Sequence, residues 1–79
     1  MMEEIIRRLG SCSNNMAALF AELVASKGSG ITDEDVFDSH MAWVRAQGGS
    51  YSFTYKDLTD RRQYQGWAFQ LREIARANP

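Results

Sequence analysis

The stretch Ile31-Thr32-Asp33-Glu34-Asp35-Val36-Phe37-Asp38-Ser39-His40-Met41-Ala42-Trp43-Val44-Arg45-Ala46-Gln47-Gly48-Gly49 carries a helix with both ends written into it. Thr32 is a good N-cap, because its hydroxyl oxygen can accept from a first-turn N–H that has no partner within the helix. Asp33, Glu34 and Asp35 fill the first turn, where the helix dipole favours negative charge. Ile31 before the cap and Val36 at the fourth helical position have the spacing of a hydrophobic staple. Phe37, Met41 and Val44 point inward, with Val36 and His40 beside them. Gly48-Gly49 then stops the helix near Gln47, as glycine past a C-terminus commonly does.

Towards the N-terminus, Ile5, Leu9, Cys12, Met16, Leu19 and Leu23 step by 4, 3, 4, 3 and 4, the seam of a packed helix widened by Phe20 and Val24. Glu3 and Glu4 precede Arg7 and Arg8 by four residues, two favourable pairs in the better orientation. Two readings compete. Glycine inside a helix costs only about 1 kcal/mol, so the unbroken phase favours one continuous or kinked helix from about Met2 to Lys27. The cluster Gly10-Ser11-Cys12-Ser13-Asn14-Asn15, rich in caps and breakers, allows two helices instead.

Towards the C-terminus the period changes. Ser50-Tyr51-Ser52-Phe53-Thr54-Tyr55 alternates small polar residues with aromatics, the pattern of a half-buried strand. A lone strand cannot satisfy its own backbone. It must therefore pair with its copy in a dimer, pair with a partner protein, or dock as an extended connector. Beyond it Tyr64, Trp67, Leu71 and Ile74, with Ala68 and Ala75 alongside, define a last helix ending near Ala77. The fold class that follows is mostly α: a small bundle of three to four helices in a single domain, residues 1–79, with one short extended or β segment near residues 51–55.

The chain has 79 residues, 44% of them hydrophobic and 24% charged, which is ordinary for a folded domain and leaves no room for a second core. No apolar run approaches the roughly 18 residues of a membrane span. Nine basic against ten acidic residues give a net charge of -1, so no bulk attraction to nucleic acid or anionic lipid is expected. The one cysteine fits a reducing compartment, and the acidic Met1-Met2-Glu3-Glu4 start is unlike a secretory signal. The expected location is cytoplasmic. A core this small supplies only a few kcal/mol net, which makes a homodimer one expectation.

Chemistry-bearing constellations are sparse. Cys12 and His40 could serve as nucleophile and base only if the fold joined them, and both sit on faces where packing explains them. The run Asp33, Glu34, Asp35, Asp38 fails the EF-hand pattern, since Asp38 falls where glycine is required and Val44 where glutamate is. One cysteine and one histidine cannot make a zinc site of the usual kind. No phosphate-binding glycine loop is present. The expectation is therefore no enzyme, no cofactor and no metal.

The contrast lies in the C-terminal third. Residues 48–79 carry five basic groups (Lys56, Arg61, Arg62, Arg72, Arg76) against three acids (Asp57, Asp60, Glu73), whereas residues 1–47 carry four against seven. Six of the nine aromatic residues lie between Tyr51 and Phe69. With Tyr64, Trp67 and Leu71 inward, Phe69 is rotated to the far side, near Arg62, Gln65, Arg72, Glu73 and Arg76. An exposed aromatic ringed by arginines has the composition of an interface hot spot. The alternative is that the aromatic ribbon covers it.

The same third also reads as a helix-turn-helix, with a first helix from Thr54 to about Arg62, a turn at Gln63–Gly66, and a second helix beyond. Tyr55-x-Asp57-Leu58, together with the closing Asn78-Pro79, is similar to the DNA-binding helices of alkyltransferase-like proteins. Arg62 and Gln63 stand where that pattern has an apolar residue and then glycine, and no reactive-cysteine motif follows, so the resemblance implies no activity here.

The functional expectation is a small non-enzymatic protein-interaction module with Tyr51, Phe53, Tyr55, Arg62, Phe69, Arg72 and Arg76 as partner contacts. Its size class includes phage and mobile-element inhibitors that bind and block a host protein complex. The alternative is a dimeric helix-turn-helix DNA regulator using Arg61, Arg62, Arg72 and Arg76 on phosphate, which would normally bring a stronger basic excess.

Overall fold

Gly10 divides the N-terminal third of the chain. In the computed structural model, which describes every residue except Ser11, Tyr51 and Pro79, α1 spans Met2–Leu9 and α2 spans Asn14–Lys27. The expected continuous helix is therefore corrected to two. Gly10 adopts φ 86°, the left-handed region where a side chain is strained, and its N–H closes α1 on the Ile6 carbonyl. Ser13 then caps α2, its hydroxyl accepting from the Met16 N–H at 3.2 Å. The hydrophobic phase survives the break, since Ile5, Leu9, Met16 and Leu23 are all buried in one core.

Helix α3 spans Asp33–Ala46 after a short 3-10 turn at Gly28–Gly30. Its start is the expected one. Thr32 and Asp35 form a reciprocal capping box, the Asp35 N–H donating to Thr32 Oγ1 and the Thr32 N–H to Asp35 Oδ2. Ile31 and Val36 are both buried in the core. At the other end the Gly48 N–H donates to the Arg45 carbonyl and the Gly49 N–H to the Val44 carbonyl. With Gly48 at φ 85°, this is a Schellman ending.

No strand occurs among the described residues. The described part of the aromatic ribbon docks against its own chain. Thr54 is extended, a 3-10 turn occupies Tyr55–Asp57, and the rings of Phe53 and Tyr55 lie 6.0 and 5.7 Å from Phe37. Tyr51 lies outside the described residues.

Helix α4, Arg62–Ala77, packs against all three other helices and forms the spine of the bundle. It runs straight through Gln63–Gly66, so the turn of the helix-turn-helix reading is absent and the first helix of that reading is only the short 3-10 turn. Tyr64, Ala68, Leu71, Ile74 and Ala75 of the same helix are buried, on the face opposite Gly66. Their burial outweighs the roughly 1 kcal/mol that an interior glycine costs. Antiparallel to its C-terminal half lies α1, with Arg8 donating to Gln70 and Met1 sharing a cleft with Ala75, Arg76 and Asn78. Among the described residues no helix is long and apolar enough to cross a membrane.

Candidate functional site

Because α4 turns every 3.6 residues, its core-facing residues dictate what its far side shows. Tyr64, Leu71 and Ile74 bury one side, which leaves Arg62, Gln65, Phe69, Arg72 and Arg76 as a stripe opposite. Phe69 at the middle of that stripe is 53% exposed, the most exposed large hydrophobic side chain among the described residues. The alternative in which the aromatic ribbon covers it does not occur: Phe53 and Tyr55 pack over Phe37 on the α3–α4 seam.

The arginines of the stripe are not equivalent. Arg62 is 87% exposed and grips Asp60 through Nε and Nη2 at 3.1 and 3.2 Å. That bond, with one from the Arg62 N–H, holds the Asp60 carboxyl below its ordinary pKa. Arg76 reaches Glu73 at 3.1 Å on the same helix, also at the surface. Arg72 is different. It is 27% exposed, donates to the Ile31 carbonyl at 2.9 Å and faces Asp33 at 3.7 Å. It ties α4 to the start of α3 and so carries an internal task that its sequence context did not show.

The expected contacts therefore divide. Arg62, Phe69 and Arg76 stand together on the free face of α4, with Arg72 at its edge. Phe53, 40% exposed, and Tyr55, half-buried, belong to the α3–α4 seam, where Tyr55 also meets Tyr64 and carries the Arg61 guanidinium 5.0 Å above its ring. Tyr64 and Phe69 are five residues apart, about 140° around the helix, so the two groups do not make one surface. At its N-terminal end the α4 face opens into a shallow depression lined by Leu58, Thr59, Asp60, Arg61, Arg62 and Gln65.

A second cluster fills the α3–α4 seam. His40 Nδ1 lies 2.8 Å from the Tyr64 hydroxyl, while the imidazole stacks on Trp43 and meets Trp67 edge-on. Burial pushes the His40 pKa below its ordinary value and the Tyr64 phenol above its own. The periodicity of α3 and α4 placed both side chains near the core, but nothing in the sequence paired them. Cys12 is elsewhere occupied, its thiol directed at the Ser13 carbonyl and its pKa raised by burial. Two of the four α3 acids serve as cap and bridges: Asp35 to Lys27 and Thr32, Asp33 to Arg72. Among the described residues no group of three or more His, Cys, Asp or Glu is placed to hold a metal ion.

No protein-family model, no curated protein and no solved structure matches the chain. The class is defined by fold and surface alone: a small four-helix protein with one exposed aromatic residue set among arginines.

Proposed function

We propose that this protein is a non-catalytic protein-binding module that acts by covering part of another protein, with the outward face of α4 as its contact surface. The observation that carries the reading is Phe69. A large ring in the middle of an arginine-bearing helix face, at 53% exposure, is a loss in water and a gain in a desolvated interface. Arg62 and Arg76 form the rim around that anchor. Cys12 and His40 are engaged in packing and hydrogen bonds, and Asp33 and Asp35 in capping or ion pairs, which fits a module without chemistry of its own.

The phosphate-binding alternative is less well supported. Of its four arginines, Arg61 donates to the Lys56 carbonyl and lies over Tyr55, and Arg72 is committed to Ile31 and Asp33. The decisive experiment compares capture of partners by the unaltered chain and by Phe69→Ser, with helix content and melting temperature recorded for both. The reading expects the variant to stay folded and to lose the specific partner. Undiminished capture by a folded Phe69→Ser chain rejects it.

A further inference from the structure

Arg62, Gln65, Phe69, Arg72 and Arg76 are spaced 3, 4, 3, 4 along α4, the interval at which one helix meets another along a shallow crossing. Arg62, Gln65, Phe69 and Arg76 are on the side away from the core, with Arg72 at the edge of that face. Arg62 and Arg76 stand seven residues before and after Phe69, each about 10.5 Å from it along the axis. The two outer arginines are thus placed symmetrically about the single apolar residue of the seam, a guanidinium at either end.

That symmetry bears on what can cover it. If a second copy laid its own α4 here in antiparallel fashion, Phe69 would meet Phe69 and Arg62 would face Arg76 at both ends. In parallel fashion each arginine would face itself. Either arrangement sets like charges opposite one another, which disfavours pairing. Asp60 and Glu73 hold these arginines only in exposed pairs, a class worth little in water. Among the described residues both guanidinium groups keep open donors: Arg62 engages Nε and Nη2, Arg76 only Nη1. A carboxylate from outside can join or replace the resident one at little loss.

We propose that the outward seam of α4 receives an acidic amphipathic helix of a partner protein, with an apolar side chain over Phe69 and carboxylates at Arg62 and Arg76. This rests on the docking reading above and adds the shape and charge of the occupant.

The test titrates the isotopically labelled full chain with helical peptides and follows its amide and Phe69 ring signals by NMR. The probes share a central leucine and differ only in the residues seven before and after it: glutamate, glutamine or lysine. The glutamate peptide is expected to bind about tenfold more tightly than the glutamine peptide and to weaken as salt is raised. Its shifts should map to residues 62–76. The double variant Arg62→Glu/Arg76→Glu should reverse the preference towards the lysine peptide. Equal binding of all three peptides on this face overturns the acidic partner while leaving the docking face standing. Shifts that fall elsewhere, or concentration-dependent self-association through Phe69, overturn the helical acidic occupant altogether. Binding of no peptide, with Phe69-dependent partner capture intact, does the same without touching the docking reading.

Discussion

His40 on α3 and Tyr64 on α4 share a hydrogen bond of 2.8 Å inside a nest of aromatic rings, and this pair joins the capped helix to the spine of the bundle. Either neutral tautomer can make it: a bare Nδ1 accepts from the phenol, and a protonated Nδ1 donates to the phenol oxygen. The neutral ring is the form the fold prefers, because burial is what lowers its pKa.

A pH dependence of stability follows. The unfolded chain takes up the imidazole proton near the ordinary value of 6.5, whereas the folded chain resists it until lower pH. The contribution is therefore complete above 6.5 and is lost as pH falls from there through the depressed folded value. Thermal melts recorded from about pH 8 down to about pH 5 should show a falling melting temperature across this window. His40→Gln, which can still bond Tyr64, should flatten that slope. An identical slope in the variant would show that the histidine is not its source.

Arg72 and its neighbours on the stripe should separate cleanly in stability measurements. Removing the Arg72 side chain leaves the Ile31 carbonyl without its donor and cuts the link between α4 and the start of α3. Arg72→Ala is expected to destabilise by about 1–2 kcal/mol. Arg62→Ala and Arg76→Ala disturb only surface pairs and should stay within about 0.5 kcal/mol of the parent. Chemical denaturation of the three variants measures this, and an Arg72→Ala chain as stable as Arg76→Ala would contradict the internal role.

The difference between Arg72 and its neighbours also shows what could be read from the sequence. Phe69 follows by elimination, because the inward residues Tyr64, Trp67 and Leu71 leave it no other side. Thr32, Asp35 and Gly48 were legible for a similar reason, since capping chemistry acts over a few adjacent residues. Arg72 was not legible, because its acceptor is a backbone carbonyl 41 residues away and no side-chain pattern announces it. The His40–Tyr64 bond spans 24 residues and escaped for the same reason. The N-terminal break escapes the hydrophobic pattern on a different ground. Hydrophobic phase reports which side of a segment meets the core, and Leu9 and Met16 meet the same core whether or not the backbone between them is helical. Ser13 and Gly10 held the information that mattered.

The α3 ending makes unequal demands on its two glycines. Gly48 has a positive φ, so an L side chain there costs about 1–2 kcal/mol. Gly49 has an ordinary backbone, yet a Cβ would fall 2.6 Å from Val44 Cγ1 and 3.0 Å from the Val44 carbonyl oxygen. Gly48→Ala and Gly49→Ala should both lower the melting temperature. Val44→Ala removes the side-chain clash at the cost of its own core packing, so, measured against Val44→Ala alone, it should recover part of the second loss but none of the first. Recovery in both pairs, or in neither, would refute this account of the turn.

Gly66 offers the opposite case. It sits within α4 on the exposed side, one turn before Phe69 and Gln70, and a Cβ there would meet nothing within 4 Å. Replacing it with alanine removes backbone freedom from the unfolded chain and adds helix propensity, a gain of up to about 1 kcal/mol. In a domain of this size that raises the melting temperature by about 4–8 °C. The position also borders the proposed docking face, so the same variant reads two properties at once. If a partner helix approaches α4 closely at this turn, Gly66→Ala will gain stability and lose affinity together. A melting temperature that falls would mean that the helix is not free at Gly66 as the structure has it, and would remove the geometric basis of the α4 face.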